Sequence, residues 1–349
     1  MALTLLDCTL RDGSYAIDFQ FTAKFTEQFC STLDELGFQY IEVGHGMGIG
    51  AGISYRRAAA TDFEYGESAE RGVKVGKWGM FAQPSFSDIK DIDLLVSAGM
   101  KFVRVGVDIN SIERGLEYVS ELCTRNIEVF VNLMKSYVTP PHELVIIMRK
   151  FVKCGVKGVY LVDSAGGMLP KELIRYSQAM ESLASETILG FHGHDNLGFA
   201  VSNSLLVAES GFSLVDCTMQ GIGRSSGNAS TEKLVASLSR SGFKVPHDLV
   251  KLLKYGEEAI RPKLPIAGHS GLDTLAGYTL FHTSYMEDLL VTSRAMGVDP
   301  YALMEEHCKA NLLTASISDL QAVGAKLINE GKTLDSPLPR DRYIGREQD

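Results

Sequence analysis

The chain has 349 residues, a formal net charge of −9 and 45% apolar residues. That length allows one large or two modest domains around a sizeable core, and the composition excludes a largely disordered or fibrous chain. The acidic balance argues against a general nucleic-acid binder. Apolar runs such as Leu144–Met148 fall far short of the roughly 20 residues that span a bilayer. Asp7 interrupts the first apolar run and no basic stretch precedes it, so no signal peptide is expected and the chain reads as cytoplasmic. Cys8, Cys30, Cys123, Cys154, Cys217 and Cys308 form no Cys-x-x-Cys pair and fit reduced thiols.

Eight short apolar runs follow one another: Leu3–Leu6, Tyr40–Val43, Val73–Phe81, Phe102–Val107, Ile127–Leu133, Gly158–Val162, Ile188–Phe191 and Leu214–Met219. Their apolarity is unbroken rather than alternating, as in parallel strands buried on both faces. Amphipathic helical stretches lie between them at Phe25–Leu36, Ile112–Cys123, Pro141–Cys154 and Lys171–Leu183. Leu36-Gly37, Ala98-Gly99 and Cys154-Gly155 carry the glycine that ends a helix. Eight strand–helix units predict an α/β fold, a (β/α)8 TIM barrel over residues 1–243, in preference to a doubly wound sheet. Helical patterns then continue without strands (Pro246–Ile260, Thr274–Met296, Pro300–Lys309, Ser316–Glu330). They predict a C-terminal helical domain over residues 244–336, followed by a polar tail at 337–349.

A barrel carries its active site at the C-terminal ends of its strands. The residues there are Asp7, Arg11 and Asp12; Glu42 and His45; Arg104 and Asp108; Lys135; Asp163 and Ser164; His192, His194 and Asp195; Gln220 and Asn228. His192 and His194, two apart on a strand, point to one face. With Asp12 they make a two-histidine, one-carboxylate set with open positions, suited to Mn²⁺, Fe²⁺, Co²⁺, Zn²⁺ or Mg²⁺ and to a bidentate substrate. Arg11 offers a forked cation to a carboxylate or oxyanion. Gly46-x-Gly48-x-x-Ala51 imitates a dinucleotide fingerprint, but it falls on the second unit and no clean helix follows. The glycine-rich stretch Gly221–Asn228 fits either an anion cradle at a helix start or a tight turn. His142, His247 and His307 read as a helix start, a loop residue and part of a polar helical stretch. Tyr278, Phe281, His282 and Tyr285 form an aromatic cluster, read first as packing.

Asp7-Cys-Thr-Leu-Arg11-Asp12-Gly13 with the downstream His192-Gly-His194 resembles the DRE-type TIM-barrel metallolyases, which include hydroxymethylglutaryl-CoA lyase. Within that group the likeness is to the 4-hydroxy-2-oxovalerate aldolases. It rests on Thr9–Ala16, Ile41–Gly46, Val162–Met168, His192–Gly198 and Gly221–Ala229 in order, and runs through nearly the whole chain.

The resemblance implies a divalent metal, commonly Mn²⁺, on Asp12, His192 and His194, with Asn228 at a position that approaches the metal in the lyase branch. It implies that Arg11 steadies a pyruvate enolate and that Ser164 helps hold the pyruvate carboxylate. The implied reaction is reversible cleavage of a 4-hydroxy-2-oxo acid to pyruvate and an aldehyde. The aldolases carry a catalytic histidine after Arg-Asp-Gly-Ser and an active-site tyrosine near the C-terminus. Here Tyr15 and His282 stand at those positions, so the residue types are exchanged. An imidazole is the better base at neutral pH, which assigns the base to His282 and a hydrogen bond to Tyr15.

The family's C-terminal domain contacts an acylating aldehyde dehydrogenase, so a dehydrogenase or self-association is the expected protein contact. A Schiff-base aldolase using Lys135 is the mechanistic rival. Rival functions are a Claisen-type enzyme joining an acyl-CoA to a 2-oxo acid, or cleaving such a product, and a non-catalytic subunit of the same fold.

Overall fold

The computed structural model describes residues 3–264 and 271–333. Its strands are β1 (Thr4–Asp7), β2 (Tyr40–Val43), β3 (Lys77–Ala82), β4 (Phe102–Asp108), β5 (Glu128–Met134), β6 (Gly158–Asp163), β7 (Ile188–Gly193) and β8 (Leu214–Cys217). They close in sequence order, all parallel, with β8 pairing back onto β1. The expected barrel and the helices C-terminal to it are present.

The strands are apolar on both faces because both faces are covered. Ile41, Val43, Val103, Val105, Val131, Leu161 and Phe191 point outward into the main core beneath the helices. Leu6, Cys8, Tyr40, Phe102, Phe130, Tyr160 and Leu214 fill the barrel interior. Two strand glycines make room for those rings. A Cβ on Gly79 would lie 2.2 Å from the Phe102 carbonyl oxygen, and one on Gly190 would lie 2.6 Å from the Tyr160 ring.

Two expected elements differ. The third run, Val73–Phe81, becomes strand only from Lys77. Val73 ends the helix Asp62–Gly72, and the amides of Lys74, Val75 and Gly76 all donate to the Asp34 carboxylate, which holds this stretch as a loop. The pattern Thr274–Met296 is not one helix. It breaks into Gly271–Thr279, a 3-10 turn Thr283–Tyr285 and Met286–Met296. Leu280 takes a left-handed φ of 60° and the Phe281 amide turns back to the Ala276 carbonyl, closing the first helix. Tyr278, on the first helix, lies at the surface, while Phe281 and His282 beyond the break are buried.

The C-terminal helices Gly271–Thr279, Met286–Met296, Pro300–Cys308 and Ile317–Asn329 pack around their own core of Phe281, Leu289, Leu303, Met304, Leu320 and Leu327. His307 is buried there rather than lying in a polar stretch, with Nε2 bonded to the Thr314 carbonyl. The tail at 337–349 and the last residues expected for the helical domain, 334–336, lie outside the described residues.

This helical unit sits on the barrel mouth. A Cβ on Gly167, just after β6, would lie 2.2 Å from the Gly277 carbonyl oxygen, and one on Gly277 would lie 2.8 Å from Asn196 after β7. The Lys135 ammonium adds a polar tie, reaching the Tyr285 hydroxyl at 3.1 Å and the Leu313 carbonyl at 3.0 Å.

Candidate active site and metal centre

The loop after β1 folds into a 3-10 turn, Asp12–Ile17, that points Asp12 into the mouth. The end of β7 brings His192, and the chain just past it His194, to the same place. One ligand atom from each of Asp12, His192 and His194 lies within 4.8 Å of the others, and all three side chains are buried. His192 Nδ1 lies 2.8 Å from Asp216 Oδ2 and His194 Nδ1 lies 3.2 Å from the Gly227 carbonyl. Those partners make Nδ1 the protonated nitrogen of each ring and leave each Nε2 lone pair for a ligand.

The electrostatics suit a cation. Burial would raise the Asp12 carboxyl, but the Arg11 guanidinium and the two imidazoles hold it well below the usual carboxylate range. Burial pushes the His194 imidazole down to about 4, so it is neutral and can donate its lone pair at neutral pH. Asn228 donates its amide to Asp12 Oδ1 at 2.9 Å, while its own buried carbonyl oxygen has no partner among the described residues. Gly223 keeps this corner open: a Cβ there would lie 2.0 Å from Asn228 Nδ2 and 3.0 Å from Asp12 Oδ1. An imidazole pair, an ionised carboxylate and an orphaned amide oxygen fit a divalent ion.

Arg11 lies beside this set. Its Nη1 donates to Asp12 at 2.5 Å and its Nε to Glu42 at 2.7 Å, and its guanidinium lies 4.8 Å from the centre of the Phe81 ring. Glu42 and Arg104, expected at the rim, lie beneath it and are fully buried. Ser164, buried at the end of β6, accepts the Lys135 amide at 3.0 Å.

Tyr15 is buried under the guanidinium of Arg224, which lies 5.3 Å from its ring centre. Gly46 makes that placement feasible, since a Cβ there would come within 2.5 Å of the Tyr15 ring. His282 begins the turn Thr283–Tyr285, and its Nδ1 is bonded to Ser284. Burial, reinforced by Arg224 and Lys135 and to a smaller extent by His194, holds its imidazole neutral, well below the usual value. The aromatic cluster therefore delivers a histidine to the mouth rather than serving packing alone.

Other candidates are structural. His45 accepts the Met47 amide, contacts the Arg56 carbonyl and stacks on Phe19. The Gly46–Ala51 stretch leads into a helix of only four residues, Ala51–Ser54, which offers no dinucleotide site. Gly221–Asn228 is a tight turn closed by its own amides, with Asn228 N bonded to Gly221 O and Gly227 N to Arg224 O. Lys135 is engaged by Asp108 at 2.9 Å as well as by Tyr285 and Leu313, so its amine is committed to holding the C-terminal helices. Asp163 uses its carboxylate on the Gly167 and Met168 amides.

Two site residues were not singled out from the sequence. Asp216, behind His192, is the sole acid in the run Leu214–Met219, and that isolation was its available signal. Arg224 had none, because only the turn brings its amide to Asp12 Oδ1 at 3.1 Å.

Residues 2–258 match the model of the HMGL-like family. The chain is 34% identical over 263 residues to a 4-hydroxy-2-oxovalerate aldolase of Carboxydothermus hydrogenoformans, an alignment spanning 75% of this chain and 78% of that one. It is 35% identical over 283 residues to an oxaloacetate decarboxylase of Mycobacterium tuberculosis, spanning 78% and 83%. The carboxyl transferase domain of Rhizobium etli pyruvate carboxylase superposes with a TM-score of 0.75 over 98% of this chain and 63% of that one; at 15% identity it shows the fold alone. The family match covers the whole barrel, with the loops that carry Asp12, His192, His194 and Asn228, and on that ground the chain belongs to the HMGL-like family.

Proposed function

We propose that this protein is a divalent-metal-dependent pyruvate aldolase, a carbon–carbon lyase that reversibly cleaves a 4-hydroxy-2-oxo acid into pyruvate and an aldehyde. The observation that carries this reading is the convergence of Asp12, His192 and His194 within 4.8 Å beside the Arg11 guanidinium. Relatives at 30–34% identity that carry the aldolase name support it.

Asp12, His192 and His194 would hold the ion, Mn²⁺ first and Mg²⁺, Co²⁺ or Zn²⁺ as substitutes, with the orphaned Asn228 oxygen as a further donor. A divalent ion bound there supplies Lewis acidity to a 2-oxo acid. Ser164 donates its hydroxyl to the substrate carboxylate. His282, held neutral by its surroundings, takes the C4 hydroxyl proton. The C3–C4 bond breaks, the electron pair passes to the pyruvate enolate, and the C4 carbon leaves as the aldehyde. Arg11, fixed by Glu42 and Asp12, faces the developing negative charge. Tyr15 orients the hydroxyl by a hydrogen bond. Return of the proton to C3 completes pyruvate.

Pyruvate release from 4-hydroxy-2-oxo acids of graded chain length, before and after EDTA and with Mn²⁺ restored, tests this reading. Loss with EDTA and recovery with Mn²⁺ is expected; turnover that survives EDTA overturns it. Loss of turnover in Tyr15→Phe with full turnover in His282→Ala reverses the base assignment.

The decarboxylase relative favours a second reading. Loss of CO₂ from oxaloacetate passes through the same enolate but has no hydroxyl proton to remove. His282→Ala then abolishes aldol cleavage and spares decarboxylation. Tyr278, Val291, Ile317 and Ile328 are exposed on the C-terminal helices, the part of the chain on which a dehydrogenase or a second copy of the chain would dock. Sedimentation of the chain alone tests the second copy.

A further inference from the structure

Under the donor set lies a circuit of buried charge centred on Arg104, which is 0% exposed. Its Nε and Nη2 grip Glu42 at 2.8 and 2.6 Å, and its Nη1 donates to Asp216 Oδ2. Both carboxylates hold a second group. Glu42 Oε2 accepts Arg11 Nε at 2.7 Å, and Asp216 Oδ2 lies 2.8 Å from His192 Nδ1. The circuit nearly closes above, where Arg11 reaches Asp12 at 2.5 Å and Asp12 lies 3.9 Å from His192 Nε2.

We infer that Arg104 is a positioning residue that fixes the direction of Arg11 and the tautomer of His192 together. This rests on the reading of His192 as a metal ligand and of Arg11 as the group that meets the enolate. Beneath the donor set, Arg104 is the group that joins the two carboxylates. Glu42 sits on β2 and Asp216 on β8, and the Arg104 fork on β4 spans both. A lysine at this position carries the charge but not the fork, so it can hold one carboxylate and not both. Two guanidiniums face three carboxylates here, which leaves one negative charge in surplus beneath the cation site. Such a buried network gains little stability over apolar packing. Its value is orientation: it leaves the ring nitrogen nearest Asp12 unprotonated and holds the Arg11 fork still.

The test uses Arg104→Lys, Asp216→Asn and Glu42→Gln in the full chain, with circular dichroism to confirm folding. Mn²⁺ affinity is read from the free-ion paramagnetic resonance signal. The His192 tautomer is read by ¹⁵N NMR of the metal-free protein. Pyruvate release at saturating Mn²⁺ gives kcat and KM.

Asp216→Asn is expected to weaken Mn²⁺ binding about 10- to 100-fold, the usual effect of removing a group that orients a ligand. Glu42→Gln is expected to lower kcat at saturating Mn²⁺ more than it changes KM. Arg104→Lys is expected to do both and to mix the His192 tautomers. A folded Arg104→Lys protein with native Mn²⁺ affinity and a single native tautomer overturns the inference. If Arg104→Lys does not fold, the Glu42→Gln/Asp216→Asn double variant decides: effects on Mn²⁺ affinity that are less than additive support the link, and additive effects overturn it. Absence of pyruvate release from the native chain would remove the functional reading and leave the affinity and tautomer measurements standing.

Discussion

The Lys135 ammonium lies 3.1 Å from the Tyr285 hydroxyl, joining the end of β5 to the turn that carries His282. Lys135 was the lysine available to a Schiff-base mechanism, and this contact gives it a different task. Lys135→Met should cost about 1–3 kcal/mol, since the Leu313 carbonyl and the Tyr285 hydroxyl both lose a donor. Urea unfolding measures that loss. Borohydride with pyruvate should leave no covalent adduct on the native chain by mass spectrometry.

Gly167 meets the Gly277 carbonyl with no space for a side chain. Gly167→Ala therefore forces the helix Gly271–Thr279 off the barrel mouth, at a cost of about 1–3 kcal/mol. Because His282 follows that helix, turnover should fall more than Mn²⁺ affinity does. Parallel measurement of kcat and of Mn²⁺ binding checks this ordering.

Gly223→Ala should act the opposite way. Its methyl would press on the Asn228 amide and the Asp12 carboxylate, so Mn²⁺ affinity should fall about 10- to 100-fold. Global stability should change less than with Gly167→Ala, because the methyl meets the Asn228 side chain and the Asp12 carboxylate rather than packed backbone. Calorimetric titration with Mn²⁺ beside a thermal melt separates the two effects.

His45 gives the fold a pH dependence of known sign. Burial pushes its imidazole down to about 4, and the Met47 amide already occupies Nδ1, so a second proton there would set two donors against each other. Below its ordinary value near 6.5 the unfolded chain binds the proton and the folded chain does not. Stability from this site is full above pH 6.5 and is lost as pH falls toward 4. His45→Gln should flatten the melting temperature over that window relative to the native chain.

The barrel was legible because its signals are local. Each strand declares itself within about six residues by unbroken apolarity, and each helix end by a glycine such as Gly37 or Gly155. The interval between runs then counts the units. His192 and His194 share a face by strand geometry alone, and Asp12 follows the first run. The boundary of β3 was not legible, because the three amides that hold residues 74–76 out of the strand are answered by Asp34, some 40 residues upstream. The break at Leu280 was also hidden, since a single left-handed residue leaves the helical spacing on either side intact.

By itself the sequence determined the strand count, the positions of the candidate donors and the presence of a helical unit after the barrel, because each depends on neighbours along the chain. Only the tertiary structure decided what those donors face. Arg104 and Asp216 are 112 residues apart and Arg11 and Glu42 are 31 apart, and closure of β8 onto β1 is what brings them into one buried circuit. The exchange of Lys135 from candidate nucleophile to tether, and of His282 from packing to the mouth, has the same cause. Each is set by a contact between barrel and C-terminal helices that no local period encodes.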